Sequence, residues 1–172
     1  MTKWVRAASA GLALIMIGLA GCAQPEGHHD EPSSMTWEEA KKATQARELA
    51  IVALIPADQV AQVDQHEKGG LFRCSESQHR WKGITSVTLA PGTDAEAVTK
   101  SMEARVAGLF GDKGAFDVTS RRDIAEKYVA KVESSTTTEA YLFGEGEPGT
   151  IVIDSWSACF TLPEGVYPGG DF

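Results

Sequence analysis

The chain has 172 residues, with 24 acidic side chains against 16 basic ones and a net charge of −8. That balance excludes nucleic acid as a partner, because phosphates need a basic footprint, and it gives no electrostatic help at an anionic membrane surface. The length suits one folded domain behind a leader.

Met1 to Arg6 is a basic start carried by Lys3 and Arg6, and Ala7 to Gly18 follows as an uncharged apolar run. A positive flank, a short apolar core and small residues, in that order, make an export signal. Fifteen uncharged residues separate Arg6 from Cys22, whereas a spanning helix needs roughly 20. Leu19-Ala20-Gly21-Cys22 closes the run. Small residues leave room for a peptidase, and the thiol is able to take a lipid in thioether linkage. These four residues resemble the lipobox of bacterial lipoproteins, a likeness that covers residues 1–22. It implies that residues 1–21 are a signal peptide and that Cys22 becomes the lipidated first residue, with palmitate among its acyl groups. The membrane is then a partner through that lipid, on the extracytoplasmic side. A buried methylene contributes about 0.8 kcal/mol and one short chain binds only reversibly, so the two or more chains of such lipoproteins give stable attachment. Losing Lys3 and Arg6 with the signal takes the net charge to about −10.

Assigning Cys22 to lipid leaves Cys74 and Cys159. An exported domain sits where disulfides persist, so these two are expected to be bonded. The loop is long enough for the bond to contribute on the order of 4 kcal/mol on chain-entropy grounds. Two free buried thiols are the rival reading. A catalytic or metal-binding pair is disfavoured because neither cysteine stands in a Cys-x-x-Cys spacing.

Residues 22–35 read as lipidated cysteine plus flexible tether, with Pro25, Gly27, Pro32, Ser33 and Ser34 and no apolar periodicity; the random-coil reach is roughly 20 Å. His28-His29-Asp30-Glu31 lies within it, but adjacent ligands on a tether do not preorganise a metal site. The folded domain is expected over 36–172. Thr36-Trp37-Glu38-Glu39 is a capping box, and helix formers run on to Ile55, where Pro56 stops them. Leu49 to Ile55 is apolar on every face and is expected to be the most buried part of the domain. Ala57 to Gly70 leans towards strand. Leu71 to Cys74 and Trp81 to Leu89, joined by polar Ser75 to His79, read as a hairpin. Trp81, Thr85, Val87 and Leu89 share one of its faces.

Thr93-Asp94-Ala95-Glu96 is a second capping box, opening a helix with Ala95, Val98, Met102, Val106 and Leu109 on one stripe and Gly111 as its stop. Strands follow around Phe116 and Val118, at Tyr128 to Glu133 and at Glu139 to Phe143. A long one over Thr150 to Phe160 is expected to place Cys159 with Ile151 and Ile153, and Phe160 with Trp156. Helix propensity competes over Asp123 to Lys131. The tail beyond Thr161 is expected to be irregular. Short connections make neighbouring strands antiparallel, and two helices cover one sheet face. The expected fold class is therefore α+β, a mainly antiparallel sheet with two α-helices packed on one face. At Cys74, Trp81 and Ser157-Ala158-Cys159-Phe160 the domain resembles small lipoproteins of uncharacterised function from high-GC Gram-positive bacteria, which share a Cys…Trp hairpin and a late Ser-x-Cys. That likeness implies no activity.

Gly144-Glu145-Gly146-Glu147-Pro148-Gly149 has the letters of a dinucleotide loop, but a β-branched segment rather than a helix follows it. It reads as a hairpin loop. No nucleophile elbow, zinc-protease pair, phosphate loop or calcium loop is present in the sequence, and no cofactor or metal is called for. His66 and His79 read as solvated loop residues, Arg121-Arg122 as a strand end, and Trp81 and Trp156 as core near the cysteines. The leading expectation is a non-catalytic envelope lipoprotein that binds an envelope protein or a small ligand. The alternative is an exported hydrolase, with His79 and Asp154 as the pair to test. A histidine buried beside a carboxylate and a hydroxyl favours the enzyme, and a flat, partly apolar sheet face favours the binder.

Overall fold

The computed structural model describes residues 35–111 and 115–172. The signal segment, Cys22 and residues 23–34 of the tether lie outside the described residues.

Helix α1 spans Trp37–Val52. Its capping box forms as the sequence dictates: the Glu39 amide donates to Thr36 Oγ1 at 3.2 Å and the Thr36 amide to the Glu39 carboxylate at 2.8 Å. The helix stops at Val52, short of Ile55, and the Leu54 and Ile55 amides turn back to the Ile51 and Val52 carbonyls at 3.0 and 2.8 Å. The expectation that Leu49 to Ile55 is the most buried part of the domain is corrected: Ile51, Val52 and Ile55 are buried, but Leu49 is 45% exposed and Ala53 is open to solvent. A sheet covers only the side of a helix that faces it.

Strand β1 (Val60–Gln65) is followed by β2 (Gly70–Arg73) and β3 (Gln78–Leu89), and β2 and β3 form the expected hairpin. β3 starts earlier than its pattern suggested and draws His79 out of the loop. Helix α2 spans Ala95–Val106 and is capped one residue late, by Asp94 rather than Thr93. Asp94 Oδ1 accepts from the Glu96 and Ala97 amides at 2.9 and 3.1 Å, and a carboxylate gains more than a hydroxyl from the positive helix end. Glu96 is thereby released from capping. It takes both Arg122 nitrogens at 2.7 Å and Lys100 at 2.7 Å, which pull its pKa down to about 2. Gly111 has φ +74°, after a 3-10 turn at Ala107–Leu109.

The last five strands are β4 (Phe116–Arg122), β5 (Tyr128–Ser134), β6 (Ala140–Glu145), β7 (Thr150–Trp156) and β8 (Phe160–Thr161). The segment from Asp123 to Lys127 is a turn, not helix: Asp123 Oδ1 accepts from the Ala125 and Lys127 amides, and Glu126 has φ +61°. The expected single strand from Thr150 to Phe160 is broken. Lys82 pairs with Trp156 and His79 with Phe160, so this side carries one more residue than β3 between those pairs. That extra residue is a bulge, and it reverses the alternation. Phe160 consequently enters the core instead of joining Trp156.

The eight strands form one antiparallel sheet in the order β1-β3-β7-β6-β5-β4, with β2 and β8 also paired to β3. β3 is the spine, carrying β2 and β1 along one edge and β8 and β7 along the other. Both helices pack on one face. There Ile51, Val52, Val98, Met102 and Val106 meet Val87, Val132, Tyr141, Phe143, Ile151 and Ile153. A smaller cluster surrounds Trp81, with Ala40 and Phe160, flanked by Trp37, Leu71, Leu162 and Phe172. The tail closes it: Phe172 pairs its backbone with Gly69 at 2.8 and 3.0 Å, and its carbonyl accepts from Trp81 Nε1 at 3.3 Å.

The Trp81 ring lies where a Cβ on Gly83 would stand, and that Cβ would also come within 2.7 Å of Glu48 Oε1. Gly83→Ala is expected to destabilise the domain by about 3 kcal/mol through overpacking, measured by urea unfolding. Gly108→Ala, where nothing lies within 4 Å of the added carbon, is the control. Equal effects at both positions would show that Trp81 does not need the glycine.

Candidate functional site

Ala40, Thr44, Glu48, Ile51 and Val52 are the buried positions of α1. Their spacing of three or four residues makes one stripe, which turns the Glu48 carboxylate into the core. Thr85 Oγ1 donates to it at 2.7 Å from β3, Gln65 Nε2 at 2.8 Å from β1, and Ser155 Oγ through a short bond from β7. A buried carboxyl is tolerated only with such donors. Sequence reasoning missed Glu48 because an acid among Ala, Lys and Gln reads as solvated. The signal was its place in the stripe. With Glu48, Thr85 and Ser155 fully buried, the cluster positions α1 on the sheet and offers a ligand no access.

One histidine falls as expected and the other does not. His66 is exposed, 4.0 Å from Asp64. His79 is buried in β3, with Nδ1 lacking a hydrogen-bond partner, which corrects the reading of it as a solvated loop residue. Burial lowers its pKa, and the neighbouring Arg73 charge lowers it further. Asp154 pairs with Ile84 in the sheet and with Lys82 Nζ at 2.5 Å. His79 and Asp154 therefore stand five positions apart along β3, roughly 17 Å at strand rise, and are not brought together. The glycine-rich segment closes the β6–β7 hairpin, with Gly149 at φ +77° and the Thr150 amide donating to Glu147 at 2.9 Å. Among the described residues no group of three or more His, Cys, Asp or Glu is placed to hold a metal, and no helix is long and apolar enough to cross a membrane.

Cys74 and Cys159 lie at disulfide distance, with Cα atoms 6.3 Å apart across 85 positions. The Cys74 amide donates to the Gln78 carbonyl on one edge of β3, and Phe160, next to Cys159, pairs with His79 on the other. The sulfur bridge thus crosses β3. Gln78, which alternation turns to the helix-free side, is buried there.

That helix-free side is partly apolar. Ile84, Leu142 and Val152 are half-buried on it. Towards the cysteines, Phe72 stands opposite Arg80, and Lys82 opposite Trp156. Phe72 is 49% exposed. The Arg80 guanidinium and Lys82 Nζ lie 5.8 and 5.7 Å from the Trp156 ring centroid, the geometry of cation–π contacts. Trp156 is accordingly half-buried surface, while Trp81 is the core tryptophan. Lys82 is neutralised by Asp154, whereas Arg80 makes no ion pair among the described residues and donates to the Thr138 carbonyl at 3.5 Å. This patch is the candidate site, and sequence reasoning did not gather it, because its residues come from β2, β3 and β7.

No protein-family model, curated protein or solved structure matches the chain.

Because the folded pKa of His79 lies below its ordinary 6.5, protonation favours the unfolded chain. Its contribution is complete above about pH 6.5 and is lost as pH falls from there towards the folded value. Relative to His79→Gln, the parent is expected to lose stability between pH 7.5 and 5 by at most about 1.4 kcal/mol per pH unit. Urea unfolding of both proteins at the two pH values checks this, and a pH-independent difference would contradict it.

Proposed function

We propose that the chain is a lipid-anchored extracytoplasmic lipoprotein whose domain binds a partner in the cell envelope without catalysis. The anchoring half rests on Leu19-Ala20-Gly21-Cys22 at the end of fifteen uncharged residues. Lipid on Cys22 holds the protein at the membrane, and residues 23–35 are the tether. The binding half is carried by one observation, the helix-free sheet face with Phe72, Arg80, Lys82 and Trp156 at one end. Exposed aromatic and arginine side chains are the residues that dominate recognition surfaces. The hydrolase alternative draws no support from the pair named for it, since His79 and Asp154 stand apart on β3. A Cys74–Cys159 disulfide fits the same compartment and braces the patch from one side.

Cys22→Ala is expected to abolish metabolic lipid labelling and to leave the precursor uncleaved or mislocalised. Normal processing and membrane retention of that variant would sink the anchor. Native mass spectrometry of the protein, gently extracted from its own membrane, tests the rest. The expected mass is the mature chain plus lipid, less two hydrogens for the disulfide, with a discrete additional partner mass. A bare mass in every preparation would overturn the binding role, and two alkylatable thiols without reduction would overturn the disulfide.

A further inference from the structure

We propose that Phe72, Arg80, Lys82 and Trp156 form a docking platform for an anionic glycan, a chain of sugar rings bearing carboxylate or phosphate groups. The inference deepens the binding role above and rests on it for the existence of a partner.

Charge is the first argument. The chain is acidic, at −8 overall, yet this patch presents two cations on neighbouring positions of one strand face, and Asp154 neutralises only one of them. Arg80 makes no ion pair among the described residues, and its planar fork suits bidentate capture of a carboxylate or phosphate. An acidic protein carrying an uncompensated guanidinium beside exposed rings offers that spot to an anion and repels it elsewhere.

Shape is the second argument. Phe72 lies on β2 opposite Arg80 and Trp156 on β7 opposite Lys82, so the two residues stand roughly 10 Å apart across the sheet and about 7 Å apart along it. Aromatic faces carry negative charge density and attract the polarised C–H faces of sugar rings. Two such rings with cations between them suit a ligand that repeats ring and charge along its length. An acidic peptide adding as a strand would need a free backbone edge. Arg80 and Lys82 sit on β3, whose edges are taken by β2 on one side and by β8 and β7 on the other. A strand could add only at the outer edge of β2, beyond Phe72, so contacts with Arg80, Lys82 and Trp156 are made through side chains alone. Arg80 lies over Trp156, so the guanidinium is held in place before an anion arrives, which lowers the ordering penalty on binding.

The test uses the mature lipoprotein in detergent micelles, titrated with polygalacturonate and followed by calorimetry and tryptophan fluorescence. Polygalacturonate is expected to bind with an affinity that falls as salt rises, while neutral dextran does not bind. Arg80→Gln, at a half-buried position, and Phe72→Ser, at an exposed one, are each expected to weaken binding at least tenfold, with circular dichroism unchanged. Absence of polygalacturonate binding, or variants that bind like the parent, would overturn the proposal. So would polyglutamate binding as tightly as polygalacturonate, which would make the surface an acidic-peptide site. A protein partner found on the extracted lipoprotein while polygalacturonate fails would remove this inference alone, whereas a bare extracted mass would remove the binding role itself.

Discussion

A carboxyl group in an apolar core must find donors, and Glu48 finds them on three strands at once. Thr85, Ser155 and Gln65 converge on it only if β3, β7 and β1 keep one register relative to each other and to α1. A slip of one residue in any of these strands would turn its donor to the opposite face. The hydrophobic cluster supplies most of the driving force for folding, but apolar packing tolerates small shifts, and hydrogen bonds to a buried carboxyl do not. Glu48 thus sets where the helix lies on the sheet. Trp81 lies beside it over Gly83, and the smaller core builds outward from that ring to Phe160 and Phe172.

The spine strand β3 turns these core constraints into a surface. Its inward residues, Trp81, Thr85, Val87 and Leu89, face the helices, so Arg80, Lys82 and Ile84 are driven outward by the alternation of the strand. The bulge between β7 and β8 lets one stretch of chain serve both sides. Trp156 stays on the open face with Lys82, while Phe160 drops into the core. Beside that reversal the Cys74–Cys159 link crosses β3 and joins its two flanking strands. The aromatic and basic side chains therefore stand on the most heavily braced end of the sheet, where a platform keeps its geometry.

Local signals carried much of the fold. The Thr36 and Glu39 box, the α2 stripe, the Pro91-Gly92 break and the hairpin glycines act within a few residues of themselves, so they are legible without the rest of the chain. The errors have separate causes. Asp94 took the cap from Thr93 because a carboxylate gains more at the helix end, Leu49 lies on the side of α1 that the sheet does not cover, and Phe160 changed sides through a single extra residue. His79 reads as solvated, and Glu48 draws no notice, for a related reason. A polar side chain reads as solvated until the strand or helix that covers it is in place.

The sequence by itself determined the basic start and apolar run of the first 21 residues, the acidic balance and the α+β class, because charge, hydropathy and periodicity are properties of contiguous residues. Only the tertiary structure decided that the link expected between Cys74 and Cys159 runs across β3, that Glu48 is the polar centre of the core, and that Phe72, Arg80, Lys82 and Trp156 share one open face. Those groupings join positions as much as 107 residues apart, as Glu48 and Ser155 are. They depend on strand register and on one bulge, quantities that exist only once strands are paired.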